Sequence, residues 1–398
     1  MNKNISKSQE KTQNTRDVFN SKIGFTLACI GSAVGLGNIW LFPYRVGKSG
    51  GSAFLILYVV FLLLLGFSGV IGEMAFGRAM RTGPLGAFKK ALEMRGMKNG
   101  EFLGMIPLIG CLLIAIGYSV VVGWVIKYLI GSITGSVLNE NPCLYFQKIT
   151  GDFSSILWHL IALASTFAIM VLGISNGIEK LNKIVMPLFF LLFAFLAVLM
   201  FFTPNSYKGY EYLFHPEWSS LLNFKTWIDA LGQAFFSLSL AGSGTIIYGS
   251  YLSDKEDVVS CAKSVTIFSF VSAILSAAVV IPAVFSFSLE NELQSGPPLM
   301  FITMPTIFKS LPMGNYISII FFASVWFAAV TSLVNLFEAP IEMLQTKFNF
   351  SRGLSVCIIA FISTVVGVFI ENAEIVGIWM DTLSDYIVPL GALLAGIM

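Results

Sequence analysis

The chain has 398 residues, of which 56% are hydrophobic and 12% are charged. Soluble domains carry about 25% charged residues, so this composition excludes an ordinary soluble domain and indicates a polytopic membrane protein. The formal net charge is +2 and no basic cluster with interleaved aromatic residues occurs, so we expect a lipid bilayer as partner and no nucleic acid.

Ten apolar segments follow a polar N-terminal tail at 1–20. A membrane-spanning helix needs about 20 apolar residues, and each segment is near or above that length. The last segment is still apolar at Met398, so we expect the last helix to be truncated. The segments lie roughly at 21–45, 52–72, 102–131, 153–173, 177–202, 226–252, 258–288, 314–345, 354–371 and 377–398.

Positively charged residues are distributed unevenly over the loops. With the N-terminus inside, cytoplasmic segments hold 17 of the 24 Lys and Arg residues: five in the tail and at its junction with the first span (up to Lys22), six between the second and third spans, and two at each of three later loops. Because cytoplasmic loops are enriched in these residues, we expect a multi-pass protein of the cell membrane with a cytoplasmic N-terminus.

The first apolar segment is interrupted at 31–43. Gly31, Gly35 and Gly37 each weaken a helix by roughly 1 kcal/mol relative to alanine, and Asn38 and Pro43 follow them. In lipid, backbone groups that a break sets free must line a cavity or be paired again. The break is therefore either a place where helices cross closely or a binding site.

A second interruption, at 241–244, lies in the sixth apolar segment. Two broken helices in corresponding halves of a chain are typical of a transporter that binds its substrate near the bilayer midplane. We therefore expect an all-α membrane protein built as an inverted five-helix repeat with broken helices 1 and 6. The repeats would occupy 21–202 and 226–398, joined by an outer loop at 203–225.

Several short motifs, in this order and spacing, carry a family resemblance. They lie at 33–40, 42–44, 50–54, 72–78, 175–180, 233–240, 301–305 and 331–332. On these motifs the chain resembles the neurotransmitter:sodium symporter family, and its bacterial amino acid transporters in particular, from Arg16 to about Leu390. The resemblance implies the LeuT-like fold and transport coupled to sodium.

The resemblance also implies two sodium sites. Sodium is a hard cation that binds oxygen atoms, and an unwound helix offers free carbonyls. Two of the hydroxyls lie mid-membrane, although such groups often bond back to their own helix. The site called Na2 would use the carbonyls of Gly31, Val34 and Ala328 and the hydroxyls of Thr331 and Ser332. The site called Na1 would use the carbonyl of Ala33 and the side chains of Asn38, Ser237 and Ser269, the last replacing an Asn or Asp of the family.

An amino acid would bind between the two breaks. Gly35 stands where monoamine carriers of the family have an aspartate, so a substrate with its own carboxylate is favoured. Free N–H groups at a helix N-terminus suit that carboxylate. Gly242 would leave room for a large apolar or aromatic side chain. The residues expected to contact the substrate are Leu36, Gly37, Ile114, Tyr118, Phe236, Ser239, Gly242 and Leu336, with core packing as the other interpretation of the aromatic ones.

A chloride ion is expected beside Na1. Family members that do not need chloride carry a carboxylate there, whereas no Asp or Glu lies between Asp257 and Glu290 here. Unbalanced charge is costly at low dielectric, so a bound anion would take the place of the carboxylate. The alternative is that the serines are small packing residues. The matching positions are Tyr58, Gln233, Ser237, Ser269 and Ser272.

The outer gate departs from the family pattern. Leu41 replaces the usual arginine, and Asp381 and Asp385 are the candidates for its acidic partner. A simple salt-bridge gate is therefore not expected. Closure would instead use Tyr118 and Phe236, with water or another cation.

The inner gate departs from the pattern as well. Arg16 and its aromatic companion Phe19 are present, but Thr346 replaces the usual acid. Two carboxylates lie within apolar spans, where ionisable groups are expensive and usually functional. Glu73 would hold the broken sixth helix by accepting its free N–H groups, and Glu338 would act similarly near the inner side.

These observations predict a sodium-coupled symporter, not an enzyme, that imports a neutral and hydrophobic or aromatic amino acid as a monomer or weak dimer. Two alternatives use the same fold: a non-transporting amino-acid-sensing membrane protein, and an exchanger independent of sodium. Intact Asn38, Thr331 and Ser332 argue against both. His159 and His215 are isolated and give no catalytic or metal-binding pattern.

Overall fold

The computed structural model describes residues 19–252, 256–294 and 296–398. Within these ranges the secondary structure is helical, with one isolated β-bridge between Gly51 and Pro216. This confirms the all-α fold class. Two predicted gate groups, Arg16 and the side chain of Asp385, lie outside the described part of the chain.

The first half of the described chain contains ten α-helices. They are α1 (Lys22–Ala33), α2 (Phe42–Lys48), α3 (Ser52–Leu65), α4 (Ile71–Met80), α5 (Pro84–Met94), α6 (Gly100–Thr134), α7 (Ser136–Asn139), α8 (Pro142–Thr150), α9 (Ile156–Val171) and α10 (Lys180–Phe201). π-Helical segments lead into α2, α4 and α10 at Gly37–Leu41, Gly66–Val70 and Ile174–Glu179.

The second half adds nine α-helices within the described residues. They are α11 (Ser206–Phe214), α12 (Phe224–Ser237), α13 (Gly244–Ser250), α14 (Val258–Ser286), α15 (Met304–Ser310), α16 (Gly314–Phe348), α17 (Arg352–Ile370), α18 (Ala373–Thr382) and α19 (Val388–Ile397). Short 3-10 or π segments occupy Trp218–Leu222, Glu290–Gln294, Leu299–Thr303 and Leu383–Ile387.

Six helices of the described chain are long and apolar enough to cross a membrane, and the bent pair Lys22–Ala33 and Gly37–Lys48 is a seventh candidate span. This pair turns by 50° at the first predicted break, where Val34 leaves the helix (φ −87°, ψ 101°). The three remaining predicted segments form the shorter helix α9, the broken pair α12 and α13, and the pair α18 and α19. All ten apolar segments are therefore helical.

The second break separates α12 from α13. Ser239 (φ 54°) and Gly242 (φ 70°) adopt left-handed backbone there, which a helix cannot contain. The carboxylate of Glu73 accepts the Gly242 N–H at 2.9 Å and the Thr245 hydroxyl. The expected role of Glu73 at the broken helix is confirmed.

A close crossing between helices α4 and α13 brings Glu73 to the second break. A Cβ added to Gly77 would overlap the backbone of Ile246, and a Cβ added to Gly249 would overlap the backbone of Met74. Helices α4 and α13 therefore touch backbone to backbone, as small residues allow in membranes. Glu73 lies one turn before Gly77, so this contact brings its carboxylate to the break.

Helices α6 and α16, of 35 residues each, form the scaffold on the other side of the breaks. Aromatic rings pack between them: the centroid of Tyr128 on α6 lies 5.0 Å from that of Phe322 on α16, and also 5.0 Å from that of Phe301 in the π segment Leu299–Thr303. Such packing replaces the hydrophobic driving force that is missing between helices in lipid. This packing holds Tyr118 on α6 and Thr331 on α16 in position beside the breaks.

Candidate functional site

A cavity of about 60 Å³ lies between the two breaks. Its walls come from the first break, the second break, α6 and α16. Most of the predicted substrate contacts meet there, although they are scattered over the sequence. Six of the eight line the cavity: Gly37, Ile114, Tyr118, Phe236, Ser239 and Leu336.

The other two predicted contacts lie elsewhere. Leu36 lines a second cavity towards the outside, and its N–H donates to the Tyr118 hydroxyl at 2.8 Å. Gly242 lines neither cavity, because a Cβ there would overlap the Gly391 carbonyl and lie 3.2 Å from the Cβ of Pro107. The expectation that Gly242 leaves room for the substrate is corrected: α19 and α6 fill that side.

Gly35 lies in a narrow part of the first break. A Cβ added there would lie 2.5 Å from the Ser332 Oγ and 2.7 Å from the Tyr118 hydroxyl. A larger residue, such as aspartate, would require both side chains to move. The polar groups around Gly35 therefore face the cavity without a protein carboxylate between them.

The cavity also has polar walls that the sequence analysis missed. The Asn335 amide donates to the Ser32 hydroxyl, and its Oδ1 has no partner among the described residues. The Cys111 thiol donates to the Leu336 carbonyl at 3.2 Å. The sequence could have indicated Asn335, because it is a single amide in an apolar run and follows Thr331 by one helical turn.

The predicted Na2 groups converge where α1 ends against α16. The Ser332 Oγ donates to the Gly31 carbonyl at 3.4 Å, and the Thr331 Oγ1 donates back to the Ala328 carbonyl at 3.0 Å. A Cβ added to Gly31 would lie 3.0 Å from the Cβ of Thr331. Val34 follows directly at the helix end, so this corner is rich in oxygen acceptors.

The predicted Na1 groups form a buried network around Asn38, which is 0% exposed. Its Oδ1 accepts the Ser237 hydroxyl at 2.6 Å. Its Nδ2 donates to the Ala33 carbonyl at 3.3 Å, the Ser272 Oγ at 2.8 Å and the Ser269 Oγ at 3.4 Å. Ser269 therefore lies within hydrogen-bond distance of Asn38, and its part in an ion site stays a prediction.

The predicted chloride groups surround the same network. Gln233 Nε2 donates to the Ser237 Oγ at 3.0 Å, and the Ser269 and Ser272 hydroxyls donate to backbone carbonyls. The buried Tyr58 hydroxyl faces the Ser237 and Ser269 side chains, which lie close to it without a hydrogen bond of good geometry within the described residues. Tyr58 therefore offers a donor that nothing in this part of the chain uses.

A vestibule of about 170 Å³ lies next to the cavity, on the side that the sequence analysis predicts to face outwards. Tyr118 and Phe236 line both spaces, so these two side chains form the partition between them. Leu41, Arg45 and Asp381 line the vestibule. Arg45 was missed by the sequence analysis, although it follows Leu41 by four residues and so lies one helical turn further out on the same face.

A buried ion pair lies towards the side that the sequence analysis predicts to be cytoplasmic. Both carboxylate oxygens of Glu338 accept from the Arg352 guanidinium, at 3.0 and 2.9 Å, and the Tyr251 hydroxyl donates to Glu338 at 2.8 Å. The ring of Phe19 packs on Tyr251 at 6.5 Å. Thr346 bonds only within its own helix among the contacts of the described residues. The sequence analysis found Glu338 but not its partner Arg352.

Comparison with known sequences gives a family and several relatives. The chain matches the model of the sodium:neurotransmitter symporter family over residues 16–144 and 139–398. An uncharacterized sodium-dependent transporter of Bacillus subtilis is 32% identical over 392 residues, which cover 94% of this chain and 85% of that protein. The human protein named inactive sodium-dependent neutral amino acid transporter B(0)AT3 is 33% identical over 311 residues, or 70% of this chain and 48% of that one.

Comparison with solved structures supports the same assignment. The crystal structure of MhsT in complex with L-phenylalanine aligns with a TM-score of 0.88 and 32% sequence identity. The alignment covers 96% of this chain and 89% of that one. The similarity therefore extends over both broken helices and the cavity between them.

Proposed function

The chain belongs to the sodium:neurotransmitter symporter family, and from that membership we propose that it imports a neutral amino acid together with sodium. The observation that carries the proposal is the cavity between the two broken helices, which is walled by Gly37 and Tyr118 on one side and by Phe236 and Ser239 on the other. The predicted Na2 and Na1 groups lie at its edges.

An α-amino acid matches the polar groups of this cavity. The Tyr118 hydroxyl accepts from Leu36, which leaves its own proton for a substrate carboxylate. Gly35 brings no competing acid, so the negative charge has to come from the ligand. We infer that the carboxylate binds at the first break, where helix N–H groups favour an anion.

The substrate side chain is proposed to be hydrophobic or aromatic. Ile114, Phe236 and Leu336 form the apolar wall, and the similar protein MhsT was crystallised with L-phenylalanine. The cavity is narrow for such a ligand. Because Phe236 borders both the cavity and the vestibule, its movement would admit the side chain.

Sodium binding at Na2 and Na1 would supply the driving force. Two ions that move down a potential of 100 mV release about 4.6 kcal/mol. A tenfold concentration gradient adds about 1.4 kcal/mol for each ion. This is enough for strong accumulation of a neutral substrate.

Chloride is proposed to balance the charge beside Na1. The unused Tyr58 hydroxyl supports this, because an anion needs donors and this one is already buried. The serine hydroxyls would turn towards the anion and release their carbonyl partners. The cost of leaving charge unbalanced at low dielectric favours that exchange.

The two ends of the protein would close by different means. We propose that Tyr118 and Phe236 close the outer side and that the Glu338–Arg352 pair holds the inner side until sodium is released. The N-terminus would lie in the cytoplasm of a cell whose plasma or inner membrane holds the protein as a monomer or weak dimer.

Uptake into proteoliposomes tests the proposal. The purified chain is supplied with a mixture of neutral amino acids under an inward sodium gradient, and choline replaces sodium in the control. We expect accumulation with sodium, strongest for a hydrophobic or aromatic member. Equal uptake in choline would point to the sodium-independent exchanger, while sodium-dependent binding without uptake would support the amino-acid sensor.

A further inference from the structure

Asn182 is a buried amide on α10 with one unused oxygen. The residue is 0% exposed, and its Nδ2 donates to the Ile178 carbonyl at 2.8 Å. Its Oδ1 has no hydrogen-bond partner among the described residues. An amide oxygen buried without a donor lowers the stability of the folded protein, so this oxygen favours a partner that the described residues do not supply.

The bond to Ile178 fixes the direction of this amide. If the amide were turned over, its oxygen would face the Ile178 carbonyl, and two acceptors would repel each other. The Oδ1 therefore has to point away from its own helix. It points at Gly31, because a Cβ added to Gly31 would overlap the Asn182 Oδ1.

Gly31 is also the residue that lies against Thr331. The same added Cβ would lie 3.0 Å from the Cβ of Thr331. The unused oxygen of Asn182 thus reaches the corner where α1 meets α16, which holds the predicted Na2 groups. Residues of three helices, α1, α10 and α16, therefore meet at this corner.

We propose that the Asn182 Oδ1 is a sodium ligand at Na2, in addition to the groups contributed by α1 and α16. The proposal rests on the proposed function, because it assumes that Na2 binds sodium. An amide oxygen is a suitable donor for a hard cation. Sodium would give the oxygen the positive partner that it lacks in the described residues.

Sodium would then also join α10 to α1. One turn earlier, Glu179 accepts the Ser21 hydroxyl at 2.7 Å and the Asn20 N–H at 2.6 Å. These bonds already tie the start of α10 to the start of α1. A cation held between Asn182 and Gly31 would add a second tie, which disappears when sodium leaves to the inside.

The test measures the sodium concentration that half-maximally raises the melting temperature of the purified chain, without amino acid and at constant ionic strength with choline. A ligand of the folded state raises this temperature by mass action. Asn182→Ala and the similarly sized Asn182→Leu should raise the half-maximal concentration about tenfold, the size of one hydrogen bond to a charged group. The melting temperature without sodium should not fall.

Two comparisons separate this role from a structural one. In a Thr331→Ala/Ser332→Ala background, Asn182→Ala should add no further shift, because the site is already lost. Ser363→Ala, which removes another buried and unpartnered oxygen on α17, should leave the sodium response unchanged.

Each failure has a distinct meaning. An Asn182→Ala variant that melts earlier without sodium but keeps the wild-type half-maximal concentration would overturn the inference and assign Asn182 to packing. A wild-type chain that shows neither a sodium-induced shift nor sodium-dependent uptake would instead overturn the proposed function.

Discussion

Polar groups are paired differently in two neighbouring regions of the molecule, the predicted Na2 site and the network around Asn38. At Na2, the acceptors are mainly carbonyls of a helix end, and the Asn182 oxygen beside them has no donor within the described chain. Around Asn38, side chains bond both to one another and to backbone carbonyls: Ser237 donates to the Asn38 amide oxygen, and Ser269 and Ser272 donate to carbonyls of the network.

The difference concerns the sign of the charge that each region can accept. The Na2 corner combines carbonyl oxygens, which have no proton to donate to an anion, with the Thr331 and Ser332 hydroxyls, whose oxygens can turn towards a cation. A network of hydroxyls and amides contains donors and acceptors in similar numbers and can turn towards either charge. Na2 is therefore expected to be the stricter cation site, and the Asn38 network the place where an anion can contribute.

The largest expected effect comes from removing the Na2 hydroxyls. Thr331→Ala with Ser332→Ala should lower sodium-coupled uptake by about 100-fold, since two groups that contact the ion are lost at about tenfold each. Ser324→Ala is the matched control, because this hydroxyl lies on the same helix and bonds only to its own Ile320 carbonyl among the described contacts. Normal uptake by the double variant, measured in proteoliposomes, would remove the distinction between the two regions.

A smaller effect is expected when the anion is taken away. Replacing chloride by gluconate at fixed sodium should lower wild-type uptake by about tenfold, because the charge beside Na1 is then unbalanced. Ser272→Glu supplies a fixed carboxylate within the Asn38 network and should make uptake insensitive to chloride. Wild-type uptake that does not change in gluconate would contradict the chloride proposal.

The smallest effect is expected for Tyr58→Phe. The hydroxyl has no partner within the described residues, so its removal should leave the melting temperature unchanged or slightly higher. Half-maximal chloride should rise about threefold to tenfold, as the loss of one donor to an anion implies. A lower melting temperature with unchanged chloride dependence would show that the hydroxyl is structural.

The same contrast explains how well different residues could be predicted. Asn38, Thr331 and Ser332 stand out in the sequence because polar groups are rare in apolar spans and belong to recognisable motifs. Asn182 is as buried as they are, yet it belongs to no motif that points to an ion. Only the direction of its oxygen, set by the bond to Ile178, indicates a role.

Asn182 was missed by the sequence analysis, whereas Gly242 was given a role at the substrate that the structure does not support. The residue was correctly placed in a break, since glycine and the neighbouring small residues interrupt a helix locally. Which side of the break it faces depends on α19 and α6, and these helices are far away in the sequence. Arg352 escaped notice for the same reason, because its bond to Glu338 forms only after the chain turns between α16 and α17.

The sequence by itself determined the membrane class, the ten helical segments, the two breaks and the groups from which the ion sites are predicted. These features follow from local hydrophobic length and from glycine and proline, which act wherever they stand. The tertiary structure alone decided which oxygens are left without donors, which glycines face a cavity and which charges pair. Those outcomes depend on how distant helices pack, because a buried polar group is stabilised or left unpaired by its neighbours in space.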